Sequence, residues 1–359
     1  MGFTAHPGPM EGHGAYNRNS QVQASGIAPA IGSLEDAARA VPIGSGAAPL
    51  VVADYGCSAG RNSLLPIGIA VRALRERAGT SRDISIVHND LPNNDYAALF
   101  DLLANDPASY LGHDPRVFAS AVGHSFFEQV VPSGSVTLGW SSWSVQWLSS
   151  VPMEIPDNVA IGCSEDAAAR AAFARRAADD WATFLRARAL ELRTGGRLVV
   201  VTMASDDSGD FGYRVVVAAI NKTLRELAET GFLSETEVRR MVIPTYGRTR
   251  AEFVAPFGDS ARFGDLALVH AELFFQEDHI WADTGEGRDA ETFGARWAAF
   301  SRASVGPTLA LFLEGGTGDP RRTEFLDRYE ATMARLLAAK PEKSLMPLVQ
   351  IVLEKRGAG

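Results

Sequence analysis

The 359-residue chain is 46% hydrophobic and 21% charged, which supplies enough apolar material for a large buried core. Its 34 basic and 43 acidic side chains leave a net charge of −9, which disfavours a binder of nucleic acid or of anionic membranes. Cys57 and Cys163 cannot build a secreted disulfide framework and have no histidines at zinc-finger spacing. A reducing, cytoplasmic setting and a small-molecule or protein partner are the expectation.

The opening MGFTAHPGPMEGHG lacks the apolar stretch of a signal peptide or anchor, and His6 stands where myristoylation needs Ser or Thr. No apolar run is long enough for a transmembrane helix. From about residue 48, short β-branched runs alternate with helical patterns, the signature of βαβ units. PLVVADYG (49–56) is the first predicted strand, and NSLLPIGIAVRALRERAG a helix that tolerates Pro66 only in its first turn. DISIVHND (83–90), the helix DYAALFDLLAND, and the strands 117–123 and 135–140 follow. A long amphipathic pattern over 167–193 is predicted to end at Gly195 and Gly196, before the strand RLVVVTM. Helical patterns dominate 206–340, interrupted by the strand 266–275, and a last strand lies in 347–355. The expected architecture is a mainly parallel α/β sheet, 1–205 with 341–359, carrying a helical cap over 206–340.

Three places suit a cofactor, and a fourth suits a substrate. Asp54, Gly56, Cys57, Ser58, Gly60 and Asn62 follow the first strand and open a helix. Glycine there lets the backbone turn sharply near a ligand, and an acidic residue at the strand end suits a cationic amino group. The pattern lacks the G-x-G-x-x-G of a dinucleotide site, although a plain βα turn would look the same. Asp90 ends the second strand, where a doubly wound fold places the acceptor for ribose hydroxyls. Ser125 and Phe126 follow the third strand and offer an adenine ring a hydroxyl and an aromatic face, with core packing the alternative for Phe126. Together these fit an adenosine-plus-amino-acid ligand, and S-adenosylmethionine better than NAD. Trp140, Trp143 and Trp147 then crowd eight residues, among Ser and Gln donors that a purely structural cluster would leave needing partners.

The set Tyr16-x-x-Asn19-Ser20-x-x-Gln23, Asp54-x-Gly56-Cys57-Ser58-x-Gly60-x-Asn62, Asn89-Asp90-Leu91-Pro92-x-Asn94-Asp95, Ser125-Phe126 and Ser141-Ser142-Trp143-Ser144-x-x-Trp147-Leu148-Ser149-x-Val151-Pro152 resembles the SABATH family. These are S-adenosyl-L-methionine-dependent methyltransferases of the salicylic acid, benzoic acid and theobromine type. The likeness covers roughly 10–155, with weaker matches in ELRTGGRLVVVT and in 243–253. It implies a Rossmann-like class I methyltransferase sheet and a cofactor site lined by Tyr16, Cys57, Asn62, Asp90, Leu91, Ser125 and Phe126. It also implies that Gln23 and Trp147 donate to a substrate carboxylate, with Gln146 where salicylate-type members have histidine and Trp143 in place of a tyrosine. Family members are commonly homodimers. Plant members often carry Asp-x-Phe-Asn as a magnesium site, where this chain has Arg239-Arg240-Met241-Val242, so no metal is expected.

The reaction expected from the resemblance is O-methylation of a small, aromatic organic acid, without a general base, since a carboxylate is ionised near pH 7. N-methylation of a heterocycle such as a xanthine, with Gln146 presenting the ring, is the alternative. A binding module or NAD-linked enzyme on the same kind of sheet is a third.

Overall fold

The computed structural model describes residues 10–11 and 26–357. Nine strands form one sheet: β1 Leu50–Tyr55, β2 Ile84–Asp90, β3 Val117–Gly123, β4 Val136–Ser142, β5 Leu192–Ser205, β6 Arg248–Thr249, β7 Arg262–Phe263, β8 Leu266–Glu277 and β9 Leu345–Lys355. Their order is β3-β2-β1-β4-β5-β9-β8-β7, with β6 pairing the end of β5. The pairs from β3 to β5 are parallel, whereas β9, β8 and β7 run antiparallel to their neighbours. The helices are α1 Ala28–Ala40, α2 Leu64–Ala78, α3 Tyr96–Asn105, α4 Ala167–Glu191, α5 Arg214–Glu229, α6 Glu235–Arg240, α7 Arg250–Val254, α8 His279–Asp283, α9 Ala290–Ser304, α10 Gly306–Leu309 and α11 Arg322–Ala339. Among the described residues no helix is long and apolar enough to cross a membrane.

Strand alternation splits the core between two faces. Val52, Leu138, Val199 and Val201 face α1, α2 and the later helices, whereas Ala53, Val136, Leu198 and Val200 face Trp181, Phe184 and Leu185 of α4. Both faces of the central strands β1, β4 and β5 are therefore covered, which is why they read as near-continuous apolar runs.

Most elements fall where the sequence places them, and Pro66 sits in the first turn of α2. The exception is the junction of α4 and β5. Asp166 caps α4 by accepting the Ala169 amide at 2.7 Å, but the helix ends at Glu191, and Leu192 is already extended and paired with Val136. Gly195 (φ +77°) and Gly196 therefore lie inside β5, where the register against β4 shifts. They form a strand irregularity rather than a helix stop. Helix α1 carries no strand or motif signal and went unread in the sequence; it packs on α2 and β5.

The stretch 206–340 divides in two. Helices α5, α6 and α9 to α11 form a layer beyond the sheet, whereas 248–277 returns to it through β6, β7 and β8. The C-terminal ends of β1, β2, β3 and β4 open under that helical layer, the place where a doubly wound sheet binds its ligands.

Candidate active site

The turn after β1 fits its backbone tightly. Gly56 (φ +85°) would set a Cβ 2.0 Å from Ser144 Oγ, and Gly60 (φ +87°) one 2.3 Å from Leu99, so neither position admits a side chain. Ser58 is held at φ +49°, a costly state for a non-glycine residue and one found at ligand sites. The Gly56 and Cys57 amides both donate to Asn89 O, which ties this turn to the end of β2. Asp54 is buried, and its Oδ2 lies 2.8 Å from His88 Nδ1, with His88 Nε2 in turn 2.7 Å from the Tyr110 hydroxyl. Asp54, Gly56, Cys57, Ser58, Asn62, Trp140, Ser142 and Trp143 wall a small cavity. Burial and the neighbouring Asp90 and Asp54 carboxylates push the Cys57 thiol well up, so it is a neutral wall and no nucleophile.

Asp90 accepts from the Ser58 amide at 2.7 Å and the Leu91 amide at 2.8 Å. Burial pushes its carboxyl up to about 6, against those two hydrogen bonds. Asn89 donates to Val122 O and His124 O, which fixes the start of the loop bearing Ser125 and Phe126. Arg188, fully buried on α4, donates to Phe126 O and Glu128 O and fixes its middle. Asp90, Leu91, Ser125 and Phe126 thereby line one cavity of about 1120 Å³, including the part open to solvent. Phe126 packs against Phe127 and Phe184 as well, so its core and cavity readings both hold.

Beyond it lies a mainly apolar cavity of about 700 Å³, again including the part open to solvent, that shares Met10, Trp143 and Trp147 with the first. Val216, Val217 and Ile220 of α5 and Phe300, Ser301 and Ser304 of α9 form part of its wall, and none of the described side chains that line it is charged. Trp143 is held at φ +53°. The segment 144–148 is pinned by 244–248, which leads into β6: Leu148 N donates to Pro244 O, Tyr246 N to Gln146 O, and Arg248 Nη1 to Val145 O at 2.6 Å. Arg248 is buried, and that burial lowers its guanidinium to about 10.

The structure thus gathers Asp54, Gly56, Cys57, Asn62, Asp90, Leu91, Ser125, Phe126, Trp143, Gln146 and Trp147 around connected cavities. Gln146 differs from its expected role, because its amide donates to Trp143 O and accepts from Thr202 Oγ1. Its two polar ends are engaged within the wall. Tyr16 and Gln23 lie outside the described residues. Sequence reasoning missed His88, Tyr110, Met10, Ser142 and Arg248; in β2 the buried polar His88 was the one available signal. Ser58 Oγ and Ser142 Oγ are buried without a hydrogen-bond partner and line both cofactor-side cavities, which fits a polar ligand there. Asp54, Cys57 and His88 bring ligand-capable atoms within 4.8 Å of one another, but the short Asp54–His88 contact is that of a hydrogen bond.

The family model for SAM dependent carboxyl methyltransferases matches residues 5–356. The chain is 26% identical over 360 residues to the salicylate carboxymethyltransferase of Clarkia breweri, covering 95% of each. It is 27% identical over 357 residues to indole-3-acetate O-methyltransferase 1 of Oryza sativa subsp. japonica, covering 90% of this chain and 86% of that one. Loganic acid methyltransferase, solved with SAH, shares the fold at a TM-score of 0.75 and 20% identity, with 97% of this chain and 99% of that chain covered. These findings displace the NAD-linked and binding-module readings. With a family match over almost its whole length, and with the Asp90 cavity adjoining a second one across Trp143 and Trp147, the chain belongs to the SABATH family of S-adenosyl-L-methionine-dependent carboxyl methyltransferases.

Proposed function

We propose that the chain methylates the carboxylate of a small, aromatic organic acid of the salicylate, benzoate or anthranilate type to its methyl ester. The observation that carries this reading is the uncharged cavity behind Trp143 and Trp147, in contact with the cofactor-side cavity through those two rings and Met10. Its flat apolar walls suit an aromatic body, and with no cationic side chain among the described residues that line it, neutral donors are the groups on hand for the carboxylate. In this reading the Trp147 indole N–H, together with Gln23, aims the reacting oxygen, and helices α5 and α9 cover the acid.

Asp90 would hold the ribose of the cofactor, Ser125 and Phe126 its adenine, and Asp54 with Asn62 its amino-acid end. When bound, S-adenosyl-L-methionine supplies an electrophilic methyl group that the carboxylate takes by in-line displacement. The chain has only to position and desolvate an oxygen that is already ionised, and such positioning is worth several kcal/mol of barrier, on the order of 7 or more at best. Trp143 and Thr202 each engage one end of the Gln146 amide, which leaves it a single N–H for a heterocycle and makes N-methylation the weaker reading. A homodimer in a reducing, cytoplasmic setting completes the reading, supported by family habit and by two free cysteines.

Labelled cofactor offered with panels of aromatic acids and xanthines tests the chemistry. Label released by mild alkali is an ester, and label retained on a xanthine would overturn the proposal. Trp147→Phe keeps a ring and removes the N–H: KM for the acid should rise about tenfold, roughly 1.4 kcal/mol, with S-adenosylhomocysteine affinity unchanged. An unaltered KM would remove Trp147 from the carboxylate clamp.

A further inference from the structure

We propose that His88 is a positioning residue for the cofactor, holding the Asp54 carboxylate through a buried Tyr110–His88–Asp54 hydrogen-bond relay. The inference rests on the reading of Asp54 as the acceptor of the cofactor's ammonium group. His88 and Asp54 are register partners in the parallel pair of β2 and β1, so their side chains leave the same face of the sheet. His88 is completely buried, Asp54 is 1% exposed and Tyr110 is 3% exposed.

The direction of the relay follows from the donors present. An ionised Asp54 only accepts, so His88 Nδ1 carries the proton and donates across 2.8 Å. In that tautomer Nε2 accepts from the Tyr110 hydroxyl at 2.7 Å. Burial and the nearby Asp54 and Cys57 push the Tyr110 phenol far up, so it keeps its proton to donate. Every polar atom of the imidazole is thereby used, and a fixed tautomer fixes the ring, as in sites where a carboxylate and a histidine orient one another.

The relay reaches only one oxygen of Asp54. No described residue donates to the other, and the carboxylate lies on the wall of the small cavity with Gly56, Asn62 and Ser63. Asp90 is the other carboxylate facing this region. Without His88, Asp54 would be a buried charge beside a second acid with no donor, a state that proteins relieve by protonation or rotation. Either response removes the ammonium acceptor. The acid would still be bound in its own cavity, behind Trp143 and Trp147.

His88→Leu, His88→Asn, Tyr110→Phe and Asp54→Asn test this, with S-adenosylhomocysteine affinity by calorimetry, KM for cofactor and acid separately, and Tm as a control for folding. His88→Leu should weaken S-adenosylhomocysteine about tenfold and raise the KM for the cofactor, leaving the KM for the acid unchanged. Asparagine, whose amide can replace the Nδ1–H donor, should recover most of the loss at the same reduced Tm. In an Asp54→Asn background the His88→Leu effect should vanish. Normal S-adenosylhomocysteine binding by His88→Leu, with Asp54→Asn impaired, overturns the relay, as does a loss of affinity that asparagine fails to rescue. Normal binding by Asp54→Asn overturns the reading of Asp54 instead. If His88→Leu does not fold, Tyr110→Phe, which keeps the ring, decides by the same comparison.

Discussion

At Asp90 the needs of folding and of ligand binding pull in opposite directions. The carboxyl is pushed up to about 6 by burial, above the unfolded value near 4, so the folded state binds its proton more tightly than the unfolded chain. The stability this group confers is present below about pH 4 and is lost as pH rises toward 6. The ribose contact proposed for Asp90 needs the reverse, because a carboxylate accepts two hydroxyls where a carboxylic acid must spend one oxygen as a donor. The Kd for S-adenosylhomocysteine should therefore be flat above about pH 7 and rise about tenfold for each unit below 6. Asp90→Asn should bind more weakly and flatten that dependence. A slope that survives in Asp90→Asn would assign it to another group.

Among elements, α4 does most to hold the cofactor-side loop in place. Its last turn carries Arg188 and Glu191, both fully buried and bonded to each other at 2.9 Å. Glu191 accepts from the Tyr55 hydroxyl on β1 and the Val130 amide, and Arg188 stacks 4.0 Å over the Tyr55 ring while holding Phe126 O and Glu128 O. Removing one partner strands the other charge in the core, so Glu191→Ala should cost about 3–5 kcal/mol in urea unfolding, whereas an exposed i,i+4 pair such as Glu35–Arg39 should cost less than about 1. A loss from Glu191→Ala as small as that of the exposed pair would deny the clamp its weight. This element also marks the limit of what the sequence makes legible. Strand alternation, Gly56, Gly60 and Asp90 could be read because each acts through its own position in a local pattern. Arg188, and Arg248 reaching Val145 103 residues away, act across the fold, and nothing beside them in the chain names their partners. The end of α4 was misread for a related reason: two glycines suggested a stop, but pairing of Leu192 with β4 captures the backbone before they are reached.

At the scale of the whole molecule, a net charge of −9 repels the anionic acid proposed as substrate, so its binding would rely on how well the pocket is closed. Part of that closure is Met10, which lines both large cavities. It is held from the next residue: the Glu11 amide donates to Ala303 O at 3.0 Å, and the Glu11 carboxylate meets Arg302 Nε at 3.0 Å. Arg302 also pairs with Asp327 and Glu330, joining residues 10–11, α9 and α11 in one network. Arg302 and Glu11 are each about 20% exposed, so salt should weaken the tie without abolishing it. Two salt effects on the KM for the acid then have opposite signs. Screening of the general repulsion lowers KM as ionic strength rises, whereas loosening of the Glu11–Arg302 tie raises it. Glu11→Gln should raise KM by up to about fivefold at low salt, the reach of a pair worth at most about 1 kcal/mol. In this variant only the first effect remains, so its KM should fall with salt while that of the wild type rises or stays level. Parallel falling curves would show that Met10 is held by packing alone.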